Sequence, residues 1–332
     1  TTTGAAMRRR WRCIRKAAPS PEETATIRSR RSGIELAGTR DAGNKRERTG
    51  GLVCGRSGSK GGAVTIAQQS RTASAPPKTA PQPAHQPVAL LAARPGGYAD
   101  RFAAALGDRH PALVFALALL SGLLLLLAAS ILLGLFVVNV LVSGSGLGLD
   151  GTDESVSRTL ADHRSGTLTT LAEVGSQVGA AVLVIFVALL AIVCAATRRW
   201  RLAAFAVFAL LVESATYYVT SFAVPRERPS VPRLEDLEPD TSYPSGHTAA
   251  AVAVYAGLVL LLTSRLTSSL AKALAWTGAI LLVTFVALSR LYQGMHHPLD
   301  VAGGVLVGIG AILVALFACR AAGAAAERRK RA

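Results

Sequence analysis

The chain has 332 residues, of which 51% are hydrophobic and only 17% charged, a balance too apolar for an average soluble domain. Its net charge of +16 sits mostly at one end: residues 1–100 hold 18 Lys/Arg against 6 Asp/Glu, a difference of +12. The four cysteines, Cys13, Cys54, Cys194 and Cys319, have neither zinc-type nor CxxC spacing, which argues against a disulfide framework and predicts free thiols.

In chain order, residues 1–95 read as a disordered, basic cytoplasmic tail, rich in Arg, Ser, Gly, Thr and Ala and poor in aromatics. Within it, residues 75–87 form a Pro-rich linker suited to extended polyproline II. The run Arg8-Arg9-Arg10-Trp11-Arg12 has no apolar core after it, so it is not expected to act as a signal peptide. Charge without a nucleic-acid-binding motif does not make a nucleic-acid site, so no nucleic-acid partner is expected.

Six apolar runs follow, at about 112–142, 177–197, 202–222, 248–263, 271–289 and 299–318. A bilayer core about 30 Å thick needs about 20 helical residues, so each run is long enough, or nearly so, to span it. Six such runs leave too little polar surface for a soluble bundle. The predicted fold is therefore all-α: a six-transmembrane-helix bundle over 96–320, with a basic cytoplasmic C-terminal tail over 321–332.

Loop charge sets the orientation. Arg198, Arg199 and Arg201, then Arg265 and Lys272, then Arg328 to Arg331 join the N-terminal tail on one side. The loop 143–176 carries Asp150, Asp153, Glu154, Asp162 and Glu173 to the other side, with the loops 223–247 and 290–298. Both termini are then expected in the cytoplasm, and the second set of loops outside the cell membrane.

Three polar clusters fall on that outer side: Pro225-Arg226-Glu227-Arg228-Pro229, Tyr243-Pro244-Ser245-Gly246-His247, and Ser289-Arg290 with His296, His297, Pro298 and Asp300. The hairpin of spans four and five returns His247 and His296 to one membrane face. Arg226, Arg228 and Arg290 offer forked donors suited to phosphate oxygens. Ser245 suits a helix N-cap, Gly246 permits close approach of a ligand to the backbone, and a helix N-terminus attracts anions. One histidine can attack phosphorus while the other protonates the leaving oxygen.

Asp300 lies four residues after His296, and one helical turn would bring its carboxylate to that ring. A carboxylate on one ring nitrogen fixes the tautomer and sharpens the other as a nucleophile. This favours His296 as nucleophile and His247 as general acid, with His297 an ordinary loop residue. A metal site on His247, His296, His297 and Asp300 is disfavoured, because three nearby arginines oppose a cation.

These clusters resemble the three motifs of the type 2 phosphatidic acid phosphatase superfamily, which also holds vanadium haloperoxidases and bacterial acid phosphatases. The second motif, P-S-G-H, is complete as Pro244 to His247. The third, S-R-x5-H-x3-D, is complete as Ser289, Arg290, His296 and Asp300. The first, K-x6-R-P, keeps Arg228 and Pro229 but has Ser221 in place of lysine.

The resemblance implies that Arg228, Ser245, Gly246 and Arg290 hold phosphate and that His296 becomes phosphorylated. It also implies that Asp300 orients His296, that His247 protonates the leaving group, and that neither a metal nor a cofactor is needed. The expected substrate is a lipid phosphate or pyrophosphate, of the phosphatidic acid, phosphatidylglycerol phosphate or polyprenyl pyrophosphate class. The alternative is a non-catalytic membrane protein that retains a phosphate-binding pocket. Arg226 either replaces the missing lysine or pairs with Glu227 or Asp236. Glu213, midway along span three, is either a functional carboxylate or a packing residue. Gly303, Gly304, Gly308 and Gly310 read as close helix packing.

Overall fold

A computed structural model describes residues 89–143, 149–236 and 240–332. These all belong to one compact unit, Lys78–Ala332. Six of its helical stretches are long and apolar enough to cross a membrane. The described secondary structure is helical throughout, as the hydropathy pattern predicts.

A short helix, α1 (Tyr98–Ala105), precedes α2 (Pro111–Phe136). Pro111 opens α2 in the first turn, where a missing N–H costs nothing, and His110 caps it by accepting from Ala112 N at 3.2 Å. A π-helical turn, Val137–Val142, completes this first span. Then come α3 (Leu149–Asp162), α4 (Gly166–Gly179) and α5 (Ala181–Ala196). The second span runs through α4 and α5, with a break at Ala180. The third is α6 (Trp200–Ala223), and the fourth is α7 (Gly246–Ala251) joined through a π-turn to α8 (Gly257–Thr263). The fifth and sixth are α9 (Ser269–Tyr292) and α10 (Pro298–Arg331).

Three sequence expectations need correction. The segment expected as a loop over 143–176 is largely helical: it contains α3 and most of α4. Hydropathy starts the second span at about 177, because Thr, Ser and Glu side chains dilute the apolar signal of α4. That helix nonetheless packs its small residues on α9: a Cβ on Gly175 would lie 2.7 Å from the Ser289 side chain. Second, α10 continues to Arg331, so the basic C-terminal segment is helical. Third, the described part of the N-terminal tail, residues 89–95, is ordered by contact with the bundle. Leu91 is buried, Arg201 donates to its carbonyl, and Arg320 Nε donates to Leu90 O at 2.8 Å. The rest of the predicted tail, its Pro-rich linker, Cys13 and Cys54 lie outside the described residues. Cys194 and Cys319 are free, buried thiols.

The fourth and sixth spans form the centre of the bundle, with half of each apolar window buried, against 11% for α9. Leu125, Leu132, Ile185, Leu189, Leu274 and Leu313 point outward instead, as lipid-facing side chains do.

What brings α10 against α7 is a stripe of glycines. A Cβ on Gly304 would lie 2.4 Å from the Ser245 carbonyl oxygen, and one on Gly308 2.5 Å from that of Ala249. Small residues at such crossings let backbones touch. The buried Tyr243 ring is received between Gly134 of α2 and Gly303 of α10, where added Cβ atoms would meet it at 2.7 and 2.5 Å.

Gly304→Ala is therefore expected to destabilise the bundle by about 1–3 kcal/mol, the usual cost of overpacking. It should also displace the Ser245–His247 turn. Thermal unfolding in detergent checks the first effect, and anion binding checks the second.

Candidate active site

Six chain segments meet at the end of the bundle formed by the C-terminal ends of α6 and α9 and the N-terminal ends of α7 and α10. The other two are α3 and α4.

Arg290, near the end of α9, is completely buried. Its Nη1 donates to Ser176 Oγ at 2.6 Å, Gln293 Oε1 at 2.6 Å and Glu235 Oε2 at 2.8 Å. Its Nε and Nη2 are buried without a hydrogen-bond partner. A buried guanidinium with idle donors is costly unless an anion completes it. Arg228 lies nearby, its Nη1 donating to Met295 O at 2.6 Å and its Nε 3.5 Å from Asp240 Oδ1. Both arginines are within electrostatic reach of His247 and of His296.

His296 is buried, and its Nδ1 lies 2.7 Å from the Ser242 carbonyl oxygen. A carbonyl only accepts, so Nδ1 carries the proton and the neutral ring keeps a lone pair on Nε2. Burial holds this imidazole well below the usual histidine range. Arg290 and Arg228 act in the same direction, and Asp300 opposes them. A neutral ring with Nε2 free has the form a nucleophile needs.

Asp300 does not hydrogen-bond to the His296 ring as expected. The physical reason is where α10 begins. Its N-cap is His297, so His296 lies outside the helix and the one-turn geometry does not apply. Instead Asp300 is the capping residue: Oδ2 accepts from His297 N at 2.7 Å. It also accepts from Ser242 Oγ and pairs with Arg226 through Oδ1. Ser242 thus links the two groups, with its hydroxyl on Asp300 and its carbonyl on His296.

Arg226 pairs with neither Glu227 nor Asp236. Its two terminal nitrogens pair with Asp153 and Asp300, all three side chains being buried. Two carboxylates hold this guanidinium, which ties it to Asp300. Ser221, at the lysine position, donates to Tyr217 O of its own helix at 2.7 Å.

His297 is more than a loop residue. It caps α10, with Nδ1 3.3 Å from Asp300 Oδ2 and Nε2 3.4 Å from Glu154 Oε2. Burial pushes the Glu154 carboxyl up, but hydrogen bonds from Ser230, Arg158 and His297 more than offset this and hold it below its ordinary value.

Ser245 stands at the N-cap of α7, but its hydroxyl bonds Thr248 Oγ1 at 3.0 Å and not the helix backbone. Its own N–H donates to Asp300 O at 3.0 Å, tying the second motif to the third. The space a Cβ on Gly246 would enter holds the Tyr217 ring, 2.9 Å away, so this glycine serves packing. His247 lies beside Gly179, with Nε2 3.5 Å from Ser176 Oγ. Burial, then Asp300, push the neighbouring Tyr243 phenol up to about 12.

The structure thus gathers His247, His296, Arg228, Arg290 and the Ser245–Gly246 turn, and sets Arg226 and Asp300 behind them. Sequence reasoning missed Ser176, Asp153, Glu235, Ser242 and Gln293, none of which lies in a recognisable motif. Glu213 is buried midway along α6, where its Oε2 accepts from Ser214 Oγ at 3.2 Å, and it bonds no site residue.

These features define a helical multi-pass membrane protein with a cluster of arginine and histidine side chains at one end of its bundle. Residues 201–322 match the PAP2 superfamily. The chain is 37% identical over 89 residues to "Bacitracin transport permease protein BcrC" of Bacillus licheniformis, covering 27% of this chain and 37% of that protein. It is 40% identical over 93 residues to "Sphingosine-1-phosphate phosphatase 2" of Mus musculus, covering 27% of this chain and 25% of the relative. It is also 40% identical over 75 residues to "Undecaprenyl-diphosphatase" of Sulfolobus acidocaldarius, covering 23% and 32%. The matches therefore span between 25% and 37% of the length of these relatives.

Proposed function

We propose that this chain is a membrane phosphatase that hydrolyses a lipid phosphate monoester or pyrophosphate through a phosphohistidine on His296. The observation that carries this reading is a free His296 Nε2 within electrostatic reach of Arg290, whose Nε and Nη2 are buried and idle. In the proposed reaction, Arg290 and Arg228 hold the phosphate oxygens and neutralise charge as it shifts to the leaving group. His296 Nε2 attacks phosphorus, and its bond to phosphorus forms as the bond to the leaving oxygen breaks. His247 gives a proton to that oxygen, then takes one from the water that hydrolyses the phosphohistidine. Ser242 and Asp300 hold the His296 ring in register.

The relatives support the substrate class: one is named for a sphingosine phosphate and another for a polyprenyl diphosphate. A site at helix ends, where a headgroup is presented, also suits a lipid. Metal independence belongs to the proposal, because Arg226 takes Asp153 and Asp300 while Arg290 takes Glu235. So does the extracytoplasmic placement of the site, which rests on the basic loops at the opposite end of the bundle.

Purified protein assayed against phosphatidic acid, sphingosine-1-phosphate and undecaprenyl diphosphate is expected to release phosphate. Release should resist EDTA and be inhibited by vanadate. Loss of activity in EDTA, restored by a divalent cation, would overturn metal independence. A wild-type protein that binds phosphate but releases none from any lipid would favour the non-catalytic reading, for which the Ser221 departure is the support. For orientation, Asp162→Cys should be labelled by an impermeant thiol reagent in intact cells, and Ser264→Cys only after permeabilisation.

A further inference from the structure

The connection between α6 and α7 carries a carboxylate into the arginine cradle. Glu235 Oε2 lies 2.8 Å from Arg290 Nη1, and Oε1 accepts from Gln293 Nε2 at 3.1 Å. Ser176, which accepts from Arg290, hydrogen-bonds to the same carboxylate. His247 is within its electrostatic reach. The Glu235 side chain is 24% exposed while Arg290 is fully buried, so Glu235 stands between the guanidinium and solvent.

The backbone on either side is pinned. Leu234 N donates to Gln293 O at 3.1 Å, and Arg164 Nη1 donates to Pro232 O at 2.7 Å. Burial pushes the Glu235 carboxyl up, but the charge and hydrogen bond of Arg290 more than offset that and hold it below its ordinary value. At neutral pH the cradle therefore contains an anion of the protein's own. A carboxylate oxygen on an arginine fork makes the contact a phosphate oxygen would make.

We propose that Glu235 is a specificity-determining residue: a resident monoanion on Arg290 that dianionic phosphate displaces and phosphodiester headgroups do not. This inference rests on the phosphatase reading above. A phosphate monoester carries a charge of about −1.5 to −2 at neutral pH, whereas a diester carries a single charge. A diester headgroup brings no more charge to Arg290 and Arg228 than Glu235 already supplies. It must also compete with a tethered group whose effective concentration is of millimolar order or above. A monoester or terminal pyrophosphate brings the extra charge, and the idle Nε and Nη2 of Arg290 can receive its further oxygens. The selection suits an enzyme in a bilayer, where phosphodiester headgroups form the surface around the site. Specificity here comes from making the wrong ligand compete, not from improving the right one.

The test uses the full chain in mixed micelles, as wild type, Glu235→Gln and Glu235→Ala, each with its thermal unfolding midpoint checked. Phosphatidic acid hydrolysis is measured with and without excess phosphatidylglycerol, and inorganic phosphate binding is measured by calorimetry. Wild type should be insensitive to phosphatidylglycerol. Both variants should show a KM that rises with phosphatidylglycerol and should bind inorganic phosphate about tenfold more tightly, as expected on removing a tethered competitor. Insensitivity of the variants to phosphatidylglycerol, or a fall in kcat at unchanged KM, would overturn the proposal. If wild type hydrolyses no lipid phosphate, the phosphatase reading fails by itself. Phosphate binding then decides separately: tighter binding by Glu235→Gln supports displacement of Glu235, and unchanged binding refutes it.

Discussion

His296→Gln is expected to abolish phosphate release, by about 10⁴-fold or more, while the protein keeps its thermal stability and still binds inorganic phosphate. Glutamine retains a hydrogen-bonding side chain near the Ser242 carbonyl but has no lone pair able to attack phosphorus. In wild type, brief reaction with a ³²P-labelled substrate should trap an acid-labile phosphoprotein, and His296→Gln should trap none. His247→Ala should lose less, about 10²–10⁴-fold, the range for removing a general acid. The loss should shrink for p-nitrophenyl phosphate, whose leaving group needs no proton. Equal losses on both substrates would argue against His247 as the acid. Phosphoprotein formation in His296→Gln would remove the mechanism altogether.

The second large effect is on stability. Arg226→Ala is expected to cost about 3–5 kcal/mol, because it leaves Asp153 and Asp300 as uncompensated buried charges. Activity should fall with it, since Asp300 braces Ser242 and Ser242 braces His296. Adding Asp153→Ala to Arg226→Ala should recover part of the stability, because one of the stranded charges is removed. A double-mutant cycle on unfolding midpoints measures this coupling. Arg228→Ala contrasts with both: there the expected change is weaker phosphate binding and a raised KM. If Arg226→Ala instead left stability unchanged and raised KM as Arg228→Ala does, Arg226 would be a phosphate ligand after all.

The buried network also explains a departure from the simplest triad geometry. In that geometry a carboxylate bonds the catalytic imidazole directly. Here the acid reaches the imidazole only through Ser242, because His297 N, at the start of the helix, claims its carboxylate as a cap. The backbone carbonyl of Ser242 then fixes the His296 tautomer. A carbonyl cannot take up the proton, so the ring's charge is set by burial and by the arginines opposite it.

The amino-acid sequence by itself determined the six spans and which helix ends meet at one end of the bundle. Both follow from properties local in the chain: the length of apolar runs, and the alternation that each span imposes on the next. The convergence of His247, His296, Arg228 and Arg290 was legible for the same reason, since a helical hairpin returns its ends to one side. The boundaries of α4 and α10 were not legible, because neighbours within the bundle bury polar and small residues that hydropathy scores as loop or tail.

Only the tertiary structure decided which side chain meets which. The His296–Ser242 bond joins residues 54 apart, Arg290–Ser176 joins residues 114 apart, and Asp153–Leu299 spans 146. Spacing along the chain carries no information about such pairs, which depend on the path of the loops and on where each helix starts. Asp300 shows the limit clearly. Four residues after His296 suggested one turn of helix, but a helix that begins between the two turned that spacing into a cap and gave the carboxylate to Arg226.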